Sequence, residues 1–550
     1  MPQWLDDAIF YEIYPQSFYD SNGDGIGDIE GIIQKLDYIA GLGCNALWIN
    51  PCFDSPFKDA GYDVRDYKKV APRYGTNDDL FRLFAEAHKK NIHVLLDLVP
   101  GHTSEEHAWF TESKKAKPNE FWNRYIWTDS WFKRPDNLGF IGGEADRDGA
   151  YILNFFKSQP ALNYGFVNPK ESWQLPVDHP DCIATREALK DIMRFWLNGP
   201  AGENADGKGA DSPVGAGCDG FRVDMADSLV KWDDGNKSAT GAVWRNIRQM
   251  LDAEYPEAAI VSEWSSPGQS LKAGFHADFL LDHEGSGYKS LLRNYKVELT
   301  PGTVEPRVAP GSDNSYFKKE GGGDITRFLE QYMPWYESTK NDGYISLITG
   351  NHDTPRVSVN LDPAELALAY AVLFTLPGVP FLYYGDEIGM RYINNLPTKE
   401  GGYTRTGSRT PMQWTANSGS GRNMGFSTAD EKKLYLPVDP SPDAPNVASQ
   451  EQNPASLLNT VKAILRLRRA EPDLQAKPNL EILFAQKGSR LFIYRRGGFI
   501  LAVNPGVEKA EAAIQANAQI GAKPVYAIGV CSLENGVCNM AGSSFGVWRG

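Results

Sequence analysis

Short apolar runs, rich in β-branched and aromatic residues, alternate along most of the chain with longer stretches of helical periodicity, the pattern of a parallel sheet whose strands are joined by helices. Eight such runs stand out, at residues 8–18, 44–50, 93–99, 220–225, 259–264, 277–282, 345–352 and 379–385. Eight strands predict a closed (β/α)8 TIM barrel. Polar and charged residues gather at the C-terminal ends of several of them, where barrels of this kind carry their chemistry.

The spacing also predicts two additions to the barrel. More than one hundred residues separate the third and fourth runs, far more than a crossover helix needs. An inserted subdomain is placed at 101–177, with helical periodicity resuming at 186–197. Residues 199–217, rich in Gly, Asp and Ala, read as a loop that feeds the fourth strand and borders the pocket. The basic amphipathic stretch 457–469 is expected to close the barrel as a helix. Beyond it, short strands and turns predict a small all-β, sandwich-like domain over 475–550. The barrel itself is assigned to 1–100 and 178–474.

Composition narrows the function. A 550-residue chain exceeds one core, and 41% hydrophobic with 23% charged residues is ordinary for a globular protein. No apolar run approaches the length of a membrane span. The net charge of −14 disfavours nucleic acid, whose phosphates need clustered Lys and Arg that no segment here supplies, so a neutral partner is expected. Fourteen Trp, 25 Tyr and 26 Phe suit sugar stacking as well as core filling. The six cysteines lack the spacing of a zinc site; Cys44, Cys52 and Cys218 read as small core residues, and Cys531 with Cys538 as a pair able to bridge a terminal hairpin. The opening Met-Pro-Gln-Trp-Leu lacks a secretory pattern, consistent with a cytoplasmic protein or an exported one written without its signal peptide.

The candidate chemistry lies at strand ends. Asp97 and His102 stand in Asp-Leu-Val-Pro-Gly-His, Arg222 and Asp224 in Gly-Phe-Arg-Val-Asp-Met, Glu263 in Val-Ser-Glu-Trp, and His352 with Asp353 in Gly-Asn-His-Asp. Acids that end buried strands cost desolvation unless they are paired or used. Elsewhere, Asp20-Ser21-Asn22-Gly23-Asp24-Gly25-Ile26-Gly27-Asp28 sets oxygen side chains at alternate positions among glycines, which suits a hard cation such as calcium. An EF-hand would end with glutamate where this loop has Gly31.

These motifs, in this order and with Gly-Val-Pro-Phe-Leu-Tyr-Tyr-Gly-Asp-Glu-Ile-Gly at the eighth run, resemble glycoside hydrolase family thirteen, the α-amylase family, and its α-glucosidase and oligo-1,6-glucosidase branch. The resemblance spans nearly the whole chain. It implies Asp224 as nucleophile, Glu263 as general acid/base and Asp353 as a third acid that binds sugar hydroxyls. His102 and His352 would donate to the same ring, Arg222 would keep Asp224 ionised, and Asp97 would orient its neighbours. It further implies calcium held by Asp20, Asn22, Asp24, the Ile26 carbonyl and Asp28, with no organic cofactor. Gly61-Tyr62-Asp63-Val64 and Ser408-Arg409-Thr410-Pro411 resemble the segments that close an α-glucosidase pocket, with Tyr62 stacking on the glucose and Asp63 pairing with Arg409.

The expected activity is a retaining, exo-acting α-glucosidase on oligosaccharide or disaccharide α-glucosides, with transglucosylation as a companion. The competing readings are an endo-acting α-amylase, a dedicated transglycosylase or sugar isomerase of the same family, and an inactive binding relative. Ala226, Asp227 and Ser228 stand where α-amylases usually carry Lys and His, which weakens the first of these. The acids argue against the last. Gln159-Pro160-Ala161-Leu162-Asn163-Tyr164 departs from the Gln-Pro-Asp-Leu-Asn-Trp of oligo-1,6-glucosidases, so linkage preference stays open.

Overall fold

The computed structural model describes residues 1–200, 216–283, 285–299, 306–417, 422–514 and 523–550. All eight apolar runs form strands: Phe10–Ile13, Ala46–Ile49, His93–Leu98, Gly220–Val223, Ala259–Ser262, Ala277–Leu280, Tyr344–Leu347 and Phe381–Tyr383. They pair in parallel in chain order, with the eighth beside the first. One parallel bridge, Ile348 to Phe381, closes the seam between the seventh and eighth. Each strand is shorter than its run; Asp224, Glu263 and Asp353 lie just past the ends of their strands, whereas Asp97 stays within the third.

Ring contacts show how the barrel is filled. Phe279 of the sixth strand stacks on Trp48 of the second at 5.3 Å and meets Phe381 of the eighth edge-on at 4.7 Å. Strands two and six are not neighbours in the sheet, so these rings meet across its interior. Alternation then turns residues such as Asp278 outward, toward the helices.

The helices follow from their caps and apolar faces. Asn77–His88 begins with a Thr76/Asp79 capping box, and Pro180–Asn198 carries proline in its first turn and resumes the barrel after the insertion. Leu457–Ala470 is capped by Ser456 and buries Leu457, Leu458, Val461, Ile464 and Leu465. Its Arg468, fully buried, donates to the carbonyls of Phe374, Leu376 and Gly378. That clasp ties the helix to the turn that leads into the eighth strand.

Between the third and fourth strands, the antiparallel pair Phe140–Gly142 and Ala150–Ile152 packs near a separate small core of Ile126, Ile152, Ala161, Phe166 and Trp173. Of the loop expected at 199–217, residues 201–215 lie outside the described residues. The C-terminal region folds as a five-stranded antiparallel sheet and a three-stranded one. Its two-residue alternation is plain: Phe492, Tyr494, Leu501 and Val503 join the main core, while Ile493, Ile500 and Ala502 join a second core with Leu533 and Trp548.

The cysteine expectation is corrected in part. Cys531 and Cys538 do lie on one hairpin, but its register sets Cys531 opposite Met540 and Cys538 opposite Leu533, and all six cysteines are free thiols. Cys44, Cys52 and Cys218 are buried as expected.

Candidate active site

Arg222 sits at the centre of the barrel's C-terminal end, and its place follows from strand alternation: Arg222 and Asp224 lie two residues apart and share the inner face. Its Nη1 donates to Asp97 at 2.8 Å and to Asp224 at 3.2 Å, and its Nη2 pairs with Glu263 at 2.8 Å. The guanidinium also lies over Trp48 at 4.8 Å. Asp97, only 1% exposed, accepts two further bonds, from Trp48 Nε1 at 3.0 Å and the Tyr62 hydroxyl at 2.9 Å. It is saturated and holds the others in place. Asp224 and Glu263 keep an open side, and the Met225 N–H, turned by a φ of 40°, donates to Glu263 at 3.1 Å.

Three carboxylates around one guanidinium cannot all be ionised cheaply. Burial, and then the Glu263 charge, lift Asp224 well above the usual carboxylate range, with Arg222 opposing.

A second cluster faces the first. Asp353 Oδ1 accepts from Arg405 Nη1 and Arg409 Nη2, each at 2.9 Å, and its Oδ2 lies 3.3 Å from His352 Nε2. Burial alone would raise Asp353, but His352, Arg409 and Arg405 outweigh it and hold the acid well below its ordinary value. His352 stacks on Tyr62 at 5.4 Å and 13°, and donates to the Tyr62 hydroxyl and to Glu12, both at 2.8 Å. Burial pulls His352 down, yet Asp353 and Glu12 push it up to about 9. It is an imidazolium at neutral pH. His102 is its opposite, driven by burial down to about 4. Neutral His102 directs Nε2–H at the Tyr62 carbonyl and accepts at Nδ1 from Asn154, whose Oδ1 takes the Lys231 ammonium at 3.1 Å.

Asp224, Glu263, Asp353, Tyr62, His102, Arg222, His352, Arg409 and Asp97 are thus joined in one cluster of contacts at the strand ends. Asp63 does not join them. Its carboxylate accepts from Ser55 Oγ, Lys58 N and Asp59 N at 2.9 to 3.0 Å, is wholly buried, and is pushed by burial up to about 6. The expected Asp63–Arg409 pair is absent because Asp63 braces its own loop. That loop instead presents Asp59, which meets Arg405 at 3.3 Å and accepts from Gln159 at 2.8 Å. Asp59, Arg405 and Gln159 were missed. The signal lay in Asp59-Ala60-Gly61-Tyr62, since Ala60 at φ 51° and Gly61 at φ 105° reverse the chain and bring the first and fourth residues to the same side. Glu12, an acid inside an apolar strand, was likewise a legible signal.

Several buried polar atoms around the pocket have no hydrogen-bond partner among the described residues: Arg222 Nε, Arg409 Nη1, Glu12 Oε2 and Asn50 Oδ1. The Asp20 to Asp28 loop lies apart from this site. Asp20 accepts from Ser427 Oγ and the Gly25 amide, and Asp28 from Ser21 and Gly31. Among the described residues, no group of three or more His, Cys, Asp and Glu side chains is arranged to hold a metal ion.

Comparison with known proteins identifies the family. Residues 12–477 match the family model for the alpha amylase catalytic domain. The chain is 31% identical to trehalose synthase/amylase TreS of Mycobacterium tuberculosis, covering 86% of this chain and 76% of the relative. It is 30% identical to an oligo-1,6-glucosidase of Heyndrickxia coagulans, over 90% of each. Among solved structures, the α-glucosyl transfer enzyme XgtA superposes with a TM-score of 0.76 at 26% identity, over 100% of both chains.

Proposed function

The chain belongs to the α-amylase family of retaining glycoside hydrolases and transglycosylases, and from that premise we propose that it is an exo-acting α-glucosidase on short α-glucosides, with transfer to sugar acceptors as a companion activity. The observation that carries the mechanism is the shared guanidinium. Asp224 and Glu263 engage the two terminal nitrogens of Arg222. That arrangement suits the short separation of a retaining pair, about 5 Å, rather than the wider gap that admits a water between the carboxyls.

In this mechanism Asp224 attacks the anomeric carbon as Glu263 protonates the departing oxygen, giving a glucosyl ester on Asp224. Glu263, now a carboxylate, takes a proton from water or from a sugar hydroxyl, which then displaces Asp224 with net retention. Asp353 and the two histidines act on the ring. Neutral His102 and charged His352 would each share with the ring an Nε2–H already directed at Tyr62, and Asp353, kept ionised by its arginines, accepts from sugar hydroxyls as positive charge develops.

The exo reading is supported by two ion pairs, Asp59 with Arg405 and Asp353 with Arg409, which would restrict passage of a longer chain beside Asp353. Glucose should be released or transferred one unit at a time. Early-time products from a long maltooligosaccharide test this: a ladder of mid-sized fragments with little glucose would replace the exo reading with an endo one.

We assign calcium to the Asp20–Asp28 loop as a structural ion, with Asn22, Asp24 and the Ile26 carbonyl completing an all-oxygen set. Burial raises Asp28, with Asp20 adding to the effect, and neither has a basic partner among the described residues. Chelation should lower Tm and calcium restore it; indifference to both would make the loop an ordinary turn. The barrel, insertion and C-terminal boundaries given above complete the proposal.

A further inference from the structure

The sixth strand, Ala277–Leu280, holds an anomaly. Phe279 points into the barrel, so Asp278 points outward, where strands meet the helix layer and side chains are normally apolar; yet Asp278 is a carboxylate with 0% exposure. It has no ion-pair partner among the described residues. Its donors all come from one short segment. Oδ1 accepts from Ser262 Oγ at 2.7 Å, Trp264 N at 3.2 Å and Ser265 N at 3.3 Å, and Oδ2 from Ser266 N at 2.9 Å. Residue 263, between the first and second of these donors, is Glu263.

We propose that Asp278 is a positioning residue that fixes the aim of Glu263 by gripping the backbone on both sides of it. The inference rests on the reading of Glu263 as the general acid/base. Three successive backbone amides converging on one carboxylate form an anion nest, which Ser265, in the left-handed region at φ 57°, helps to shape. The Ser265 hydroxyl accepts the Leu281 amide at 3.0 Å, which links the loop a second time to the end of the sixth strand. On the other flank the Glu263 amide donates to the Val223 carbonyl, and its carbonyl accepts from the Ala226 amide at 3.2 Å. Glu263 is thus held from the nucleophile's side by the fourth strand and from behind by Asp278. Burial pushes Asp278 up to about 7 while these bonds oppose it, as expected of a carboxylate whose stabilisation comes from neutral donors.

The test compares Asp278→Asn, Ser262→Ala and Glu263→Gln on an activated aryl α-glucoside, whose leaving group needs little protonation, and on a disaccharide, whose leaving group needs it fully. Melting temperature and active-site titration by mechanism-based trapping correct for folded enzyme. Asp278→Asn should lose roughly 10- to 100-fold in kcat/KM on the disaccharide and less than about threefold in kcat/KM on the aryl glucoside, because kcat/KM reports the glucosylation step, in which the leaving group is protonated. Ser262→Ala should show the same bias more weakly. Equal losses on both substrates would overturn the proposal, because a merely structural role removes active enzyme without discriminating leaving groups. If Asp278→Asn does not fold, the bias in Ser262→Ala decides on the same terms. An absence of bias in Glu263→Gln overturns the acid/base reading itself, whereas bias there without it in the Asp278 and Ser262 variants overturns only the role of Asp278.

Discussion

The two ends of the barrel each bury a cluster of acids and bases, and they treat them differently. At the N-terminal end Asp219 accepts from His88 at 2.8 Å, His93 at 3.0 Å and the Val94 amide at 2.7 Å, while Trp4 stacks on His93 at 4.1 Å. Burial works against the charge, but the two histidines outweigh it and Asp219 is held below its ordinary value. At the C-terminal end Arg222 is shared among three acids, Asp224 is raised, and Arg222 Nε and Arg409 Nη1 have no partner among the described residues. One network is complete and stabilises the fold. The other is frustrated until a sugar supplies hydroxyls and charge, which is the expected division between a barrel's stability face and its catalytic face.

Removing a charge should therefore have opposite consequences at the two ends. The largest effect is expected from Asp224→Ala, which should cut kcat by about 10⁴-fold or more while leaving stability unchanged or improved, because crowding of carboxylates is relieved. Trapping with a fluorinated glucoside should label Asp224 in the wild type. A label on Glu263 or Asp353, or inversion at the anomeric carbon, would dissolve the assignment.

The pH dependence of stability sharpens the same contrast. His352 is raised in the folded protein to about 9, above an unfolded value near 6.5. Its contribution is complete below pH 6.5 and disappears as pH rises through 9, a loss of roughly 3 kcal/mol that His352→Gln should not show. Asp219 is depressed, so its contribution is present above the unfolded value of about 3.9 and is lost as pH falls through its folded value. Tm measured from pH 3 to 10 separates the two limbs. A wild-type profile that is flat above pH 7 would remove His352 from the charged cluster.

The smallest effect is expected from Asp219→Asn, which should lower stability by roughly 2 kcal/mol and leave kcat of the folded enzyme nearly unchanged. Denaturant midpoint and kcat, measured together, decide. A large fall in kcat at intact stability would mean that the N-terminal cluster reaches the chemistry, and the comparison would fail.

The sequence reveals the barrel because parallel strands covered on both faces must be continuously apolar, which leaves little ambiguity in Ala46–Ile49 or Ala259–Ser262. Asp97, Asp224 and Glu263 were legible as acids ending such runs. Asp59 was not, because strand alternation offers no guide through a loop with two positive-φ residues, and Asp63 stood closer to Tyr62 in the sequence. The lost cysteine bridge has the same kind of cause: hairpin register, which composition does not carry, offsets the two thiols. Ala161 illustrates the converse. It stands out against the family motif, yet it lies fully buried in the insertion's small core, where an alanine packs without cost.

The closing of the barrel also constrains the order in which the chain can become a protein. The first strand pairs with the second within a few dozen residues, but its other edge must wait for Phe381–Tyr383, roughly 370 residues later along a chain made from its N-terminus. Arg468, which clasps the approach to that eighth strand, emerges later still. A nascent chain therefore carries an open sheet edge through most of its synthesis, and such edges invite pairing with other chains. Slowed translation ahead of residue 380 should raise aggregation and chaperone dependence more than the same delay within the C-terminal strands.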